Sequence, residues 1–409
     1  MAISDIEPLA ELTLRASGID APPIERILGV VRSQLGMELA FLSVFVSGLE
    51  VFRAVDGDAL SFGLETGVGL PLEDTYSARM VEGELPNLLA DVARDPRARE
   101  LPITEVAEIG AYVGVPLRLW DGRLYGTLCC LAHEPQPTLN ERDVDFLRSM
   151  SLVIAERLER QEIEGEMLSI ERQRIRSVLE RGKLSVVLQP IYDLQEKELV
   201  GFEALARFEG GPERPPSAWF EAAESVGLGS ELELAAVRAA LTLLEQLPDG
   251  TSLAINVSPA VASSDEFFEL IQPVARRAMV EVTEHARVDD YKRLESALRR
   301  LKEHGARIAV DDVGAGFASL RHILGLSPDI VKLDLSLTRD IHDDPARRAL
   351  AASLVGFARD IDATIAAEGI ESSEQLALLC ELGIDYGQGF YLGPPQPLLA
   401  ALTADLSLN

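Results

Sequence analysis

The stretch LSVVLQPIYDLQEKELVGFEALARF (184–208) holds two apolar runs, LSVVLQPIY (184–192) and LVGFEALARF (199–208), separated only by DLQEKE. So short a link has no room for a crossover helix, and the two runs are predicted to pair antiparallel as a hairpin. Downstream, short apolar runs alternate with helical segments. Strands are predicted at SLAINVS (252–258), MVEVTE (279–284), RIAVDDV (307–313), DIVKLDL (329–335), TIAAEG (364–369) and GFYLG (389–393). Helices are predicted at 231–247, 289–305, 344–360 and 372–383, the second closing on Gly305 and the last opening on the capping box Ser372-x-x-Gln375. Eight strands alternating with helices predict an α/β chain built on a TIM-like (β/α)8 barrel, irregular because its first strand runs antiparallel.

Upstream, the first 160 residues read as helix, strands, helix. LAFLSVFV (39–46) is strand-like, and VGVPLRLWDGRLYGTLCCL (113–131) sets Asp121-Gly122 between two apolar runs, a hairpin signal. NERDVDFLRSMSLVIAERLERQ (140–161) has helical periodicity with Asn140 as N-cap, and continues into the charge-rich IEGEMLSIERQRIRSVLERG (163–182). The expected organisation is an N-terminal α+β domain over 1–160, a helical connector over 161–180 and the barrel over 181–409.

Composition agrees with two globular domains: 409 residues, 47% hydrophobic and 26% charged. No apolar run approaches the roughly 18 residues needed to span a bilayer, and the opening MAISDIEPLAEL is acidic where a leader would be basic, so a cytoplasmic location is expected. A formal charge of −29 excludes broad contact with nucleic-acid backbones or anionic membranes. Of three cysteines, Cys129 and Cys130 are adjacent, which gives neither a disulfide framework nor a zinc spacing.

Nearly every barrel strand carries a polar residue toward its C-terminal end: Gln189, Glu203, Asn256, Glu281, Asp311 with Asp312, Lys332 with Asp334, and Glu368, while Gln388 opens the eighth. Barrel strands converge there, at the face where such folds place active sites. Taken singly, Glu203 or Glu281 also reads as a solvated carboxylate or helix cap, and Asp311-Asp312 as a turn before Gly314. Lys332 is harder to explain that way, because an ammonium inside an apolar strand is costly unless paired. Carboxylates packed together need cations, and hard oxygen donors without Cys or His favour Mg²⁺ or Mn²⁺. Several shared carboxylates suit two ions about 3.5–4 Å apart, an arrangement for phosphodiester hydrolysis.

The motifs QPI (189–191), Glu203-Ala204-Leu205 with Arg207, NVS (256–258), EVTE (281–284), DDVGAG (311–316), KLD (332–334), AEGIE (367–371) and QGF (388–390) together resemble the EAL-domain cyclic di-GMP phosphodiesterases over about residues 175–398. The resemblance implies hydrolysis of cyclic di-GMP to pGpG with two divalent ions. It implies a first ion on Glu203, Asn256, Glu281 and Asp311, and a second shared by Asp311, Asp312 and Glu368. Glu368 would also orient or deprotonate the attacking water, and Lys332 would contact that water or the phosphate. Arg207 would bind phosphate, with Gln189, Asp334 and Gln388 as further substrate contacts. Glu284 and the loop with Gly314 and Gly316 would link the site to a homodimer interface. Val313 departs from the family's usual Phe, with consequences expected for loop packing rather than ligation.

The N-terminal part resembles a GAF domain in its helix-first order, its hairpin and its long exit helix. The ligand stays open between a cyclic nucleotide, haem and none. Bilin attachment is not expected, because His133 is the only histidine in this half and pairs with no cysteine in sequence. The competing reading of the whole is a catalytically silent cyclic di-GMP receptor or protein-interaction module, which usually shows substitutions at the positions of Glu203, Asp311 or Glu368. None is present.

Overall fold

The structure is a computed structural model that describes residues 23–211, 213–282, 290–313 and 325–403. The chain divides into two compact units, Met1–Met167 and Leu168–Asn409. One helix, Glu141–Arg181, contributes to both. Among the described residues no helix is long and apolar enough to cross a membrane.

The first unit is a six-stranded antiparallel sheet of β1 (Leu39–Val46), β2 (Leu49–Gly57), β3 (Gly69–Pro71), β4 (Leu88–Leu89), β5 (Ala111–Arg118) and β6 (Leu124–Ala132), in the order β3-β2-β1-β6-β5-β4. Alternation sends residues of β1, β5 and β6 to two separate cores. On one face Leu28 and Val31 of helix Ile24–Leu35 and Leu147 and Ile154 of the long helix pack against Val115 and Cys130. On the other, Phe41, Phe52, Phe62, Tyr76 and Tyr112 pack around Cys129. Adjacent Cys129 and Cys130 therefore face opposite cores, both fully buried, and burial pushes the Cys129 thiol up to about 11. Gly122, at φ 83°, turns the hairpin where Asp121-Gly122 predicted it. Asn140 caps the long helix through Oδ1, which accepts from the Arg142 amide at 3.1 Å.

The second unit is a closed barrel of β7 (Leu184–Asp193), β8 (Leu199–Phe208), β9 (Ser252–Val257), β10 (Ala278–Val282), β11 (Arg307–Val313), β12 (Ile330–Leu333), β13 (Thr364–Ala367) and β14 (Tyr386–Gly387). β7 pairs antiparallel with both β8 and β14, and every other pairing is parallel. The short link after β7 dictates this, as the sequence predicts. Ile191, Ala254, Met279, Ala309, Ile330 and Ala366 form a common interior cluster, so the barrel is packed rather than open. Helices Gly229–Leu244, Tyr291–Glu303 and Pro345–Asp360 cover its outside. Ser372 and Gln375 form the predicted capping box on helix Ser373–Leu382.

One strand differs from expectation. The eighth is Tyr386–Gly387, and 389–393 is no strand, with 390–392 in a turn. After two residues the chain folds back onto the loop after β13: the Ile370 amide donates to Gln388 O at 3.1 Å, and the Tyr391 amide to Ile370 O at 2.9 Å. Gly389 permits this approach, since a Cβ there would lie 2.1 Å from the Ile370 nitrogen. Gln388 thus follows its strand instead of opening it, at the same rim as the other polar ends.

Candidate functional site

Register brings the polar residues together. Gln189 stands opposite Glu203 across β7–β8, and Asn256 opposite Glu281 across β9–β10. Asp311 lies on β11, Lys332 on β12, and Glu368 and Gln388 directly follow β13 and β14. At the centre is the Lys332 ammonium, whose side chain is 3% exposed. It lies 2.6 Å from Glu368 Oε1, 3.0 Å from Glu281 Oε2, 3.2 Å from Asp311 Oδ1 and 3.9 Å from Glu203 Oε2. The sequence required a partner for this lysine, and the fold supplies four carboxylates.

Amides complete the first ring of contacts. Asn256 Nδ2 donates to Glu203 Oε1 at 2.7 Å, and Gln388 Nε2 donates to Glu203 Oε2 at 2.6 Å and Glu368 Oε1 at 3.2 Å. Glu203, Glu281, Gln189 and Gln388 are all buried. Beneath them a small cavity is lined by Ile191, Met279, Ile330, Ala366 and Tyr386. The polar cluster therefore rests on an apolar floor, where its charges are poorly screened.

The electrostatics follow from four acids sharing one base. Burial pushes Glu281 well above the usual carboxylate range, against the pull of Lys332, and the neighbouring acids push the same way. Burial likewise raises Glu368 to about 8, with Asp311 and Glu203 adding to it. Burial alone would discharge Lys332, yet the four carboxylates outweigh it and hold its pKa well above normal. The lysine stays cationic, and the surplus of acids is relieved by protons or by further cations.

Two observations bear on a metal. The donor set is entirely oxygen, as Mg²⁺, Mn²⁺ and Ca²⁺ prefer. Among the described residues the buried Glu281 Oε1 finds no hydrogen-bond partner, which leaves a ligand atom at the centre of the cluster. Among the described residues no three His, Cys, Asp or Glu side chains already stand at metal-holding geometry. Lys332 and the two amides take up carboxylate oxygens in this arrangement, and the residues fit an ion in the chemistry of their donors.

The other expected site residues make separate contacts. Arg207, partly buried, donates to Ala206 O at 2.8 Å, and Gln189 Nε2 donates to Gly393 O at 3.2 Å. Asp334 caps helix Leu335–Thr338 by accepting from the Ser336 amide at 2.9 Å. Val313 is buried in the main barrel core. Glu284, Gly314, Gly316 and the side chain of Asp312 lie outside the described residues.

The family follows from the match of residues 172–395 to the EAL domain, more than half of the chain. The chain belongs to the EAL family. Residues 24–159 match the GAF domain, in keeping with the six-stranded sheet of the first unit. The EAL chain is similar to cyclic di-GMP phosphodiesterase PdeF of Escherichia coli strain K12, 29% identical over 242 residues that make up 56% of this chain and 32% of that protein. It is also similar to cyclic di-GMP phosphodiesterase PdeR of the same strain, 29% identical over 242 residues, 55% of this chain and 36% of that one. The chain thus spans about a third of the length of these curated relatives. Among solved structures, an EAL domain protein from Listeria monocytogenes covers 56% of this chain and 95% of its own, with a TM-score of 0.51 and 23% identity. The Xanthomonas citri FimX EAL domain covers 58% and 97%, with a TM-score of 0.51 and 21% identity. These two bear on the fold alone.

One residue at the site of this EAL chain gave no signal in the sequence. Glu233, on the helix preceding β9, accepts the Ser258 amide at 2.8 Å, and burial raises its pKa. Ser258 follows Asn256 by two positions and caps the next turn of helix, so Glu233 holds the end of the strand that presents Asn256. Glu233→Ala strands that amide and is expected to cost about 1–3 kcal/mol in urea denaturation. Glu233→Gln, which keeps an acceptor, should recover most of it; equal losses in both variants would show that the hydrogen bond is not what matters.

Proposed function

We propose that the barrel hydrolyses cyclic di-GMP to linear pGpG with two divalent ions, Mg²⁺ or Mn²⁺. The observation that carries this reading is the buried Lys332 with four carboxylates within 3.9 Å at the C-terminal rim, three on strands and the fourth, Glu368, just after β13. Membership of the EAL family and the phosphodiesterase names of PdeF and PdeR support the substrate.

Glu203, Asn256, Glu281 and Asp311 would hold one ion, and Asp311, Asp312 and Glu368 the other. When bound, the ions supply a nucleophilic water at neutral pH and polarise the phosphodiester. The protein's part is positioning. Asn256 donates through Nδ2 to Glu203, which leaves its carbonyl oxygen as the ligand atom. Glu368, placed at the rim beside Lys332 and Gln388, would receive the proton of the attacking water. Lys332 keeps its charge and faces the developing negative charge on phosphate. Arg207 contacts the phosphate, with Gln189, Asp334 and Gln388 lining the groove. The GAF unit sets turnover through the helical segment 161–180, in a homodimer.

The test is chromatography of product after incubating the purified protein with cyclic di-GMP and Mg²⁺ or Mn²⁺. Accumulation of pGpG supports the reading. Tight nucleotide binding without product under either metal overturns it in favour of a receptor.

A further inference from the structure

We propose that Gln375 is a positioning residue for Glu368, acting beyond its part in the helix cap. The inference rests on the phosphodiesterase reading for its activity assay, and on geometry alone for its structural basis.

Gln375 is 5% exposed and uses both ends of its amide. Its Oε1 accepts the Glu371 amide at 2.7 Å and the Ser372 amide at 3.0 Å. Its Nε2 donates to Thr338 O at 3.2 Å, across 37 residues of sequence. Thr338, fully buried, in turn donates through Oγ1 to the Glu368 carbonyl at 2.6 Å. A closed circuit of hydrogen bonds therefore surrounds the turn from Glu368 to Ser372. The Glu368 amide is fixed as well, donating to Leu333 O at 3.2 Å.

That turn is tight. Gly369 has φ 62°, and a Cβ there would stand 2.0 Å from Leu335 Cδ1. Strand β13 ends at Ala367, so no ladder partner holds Glu368 beyond its own amide. Its carboxylate must nevertheless meet Lys332 at 2.6 Å and Gln388 at 3.2 Å. The rigidity comes from the Thr338–Gln375 circuit. Helix capping needs only the Oε1 half of Gln375; the Nε2 bond to Thr338 adds nothing to the cap and ties the turn to the helix after β12.

This division gives the test. Gln375→Glu keeps the capping acceptor, since Glu serves a capping box as well as Gln, but loses the donor to Thr338. Gln375→Met, of similar size, loses all three bonds. Turnover of cyclic di-GMP is measured per folded molecule, with the folded fraction taken from urea titration, and Mn²⁺ affinity is measured by calorimetry. In both variants kcat is expected to fall about tenfold or more with KM within about twofold, and Mn²⁺ affinity to weaken by about tenfold. Wild-type kcat and Mn²⁺ affinity in Gln375→Glu would reduce the residue to a helix cap and overturn the proposal. Should the wild type itself form no pGpG, the phosphodiesterase reading fails separately; Mn²⁺ affinity then decides, with equal or undetectable binding in wild type and variants counting against positioning.

Discussion

Lys332→Met is expected to lower the unfolding free energy by about 3–5 kcal/mol in the presence of EDTA, the cost of removing one partner from a buried charge cluster. The methionine fills a similar volume but leaves Glu203, Glu281, Asp311 and Glu368 without their shared ammonium. Protonation relieves only part of the repulsion, because each acid was already buried with the others. Millimolar Mn²⁺ should restore much of the loss, since an ion bound to the folded state alone stabilises it by mass action. Urea titration in EDTA and in Mn²⁺ checks both halves. A variant as stable as wild type in EDTA would mean that the carboxylates do not depend on Lys332. Turnover should remain low even with metal restored, because the fixed cation at the phosphate is gone.

Glu368→Gln should separate binding from chemistry. The amide oxygen can still accept from Lys332 and Gln388, so the local geometry survives, but the proton acceptor and one anionic ligand are lost. Nucleotide affinity is expected to stay within a few-fold while kcat falls about 10²–10⁴-fold, the usual contribution of a general base. Equilibrium binding measured beside initial rates tests this. Parallel loss of both would assign Glu368 a structural role.

Much of this site was legible in the sequence because its features are local. The short link DLQEKE between the first two apolar runs forced an antiparallel pair, and Lys332 between Val331 and Leu333 demanded a partner wherever it stood. The eighth strand was misplaced because GFYLG has strand composition, while its actual conformation is set by Ile370, a neighbour only in space. Glu233 could not be read, since it lies on an amphipathic helix and its partner is a backbone amide, a group common to nearly every residue. Gln375 was legible as a cap through its spacing from Ser372. Its second bond, to Thr338, depends on how two helices meet at the barrel rim and leaves no trace in spacing.

The most direct measurement compares wild type with Glu203→Ala for conversion of cyclic di-GMP to pGpG in Mn²⁺. Glu203 accepts from Asn256 and Gln388 and borders Lys332, so it joins both amides to the acidic cluster. Wild type is expected to form product, and the variant to lose turnover by about 10³-fold or more, the scale of removing an essential part of a metal-assisted site. Turnover retained in Glu203→Ala would contradict a role for the carboxylate cluster in hydrolysis.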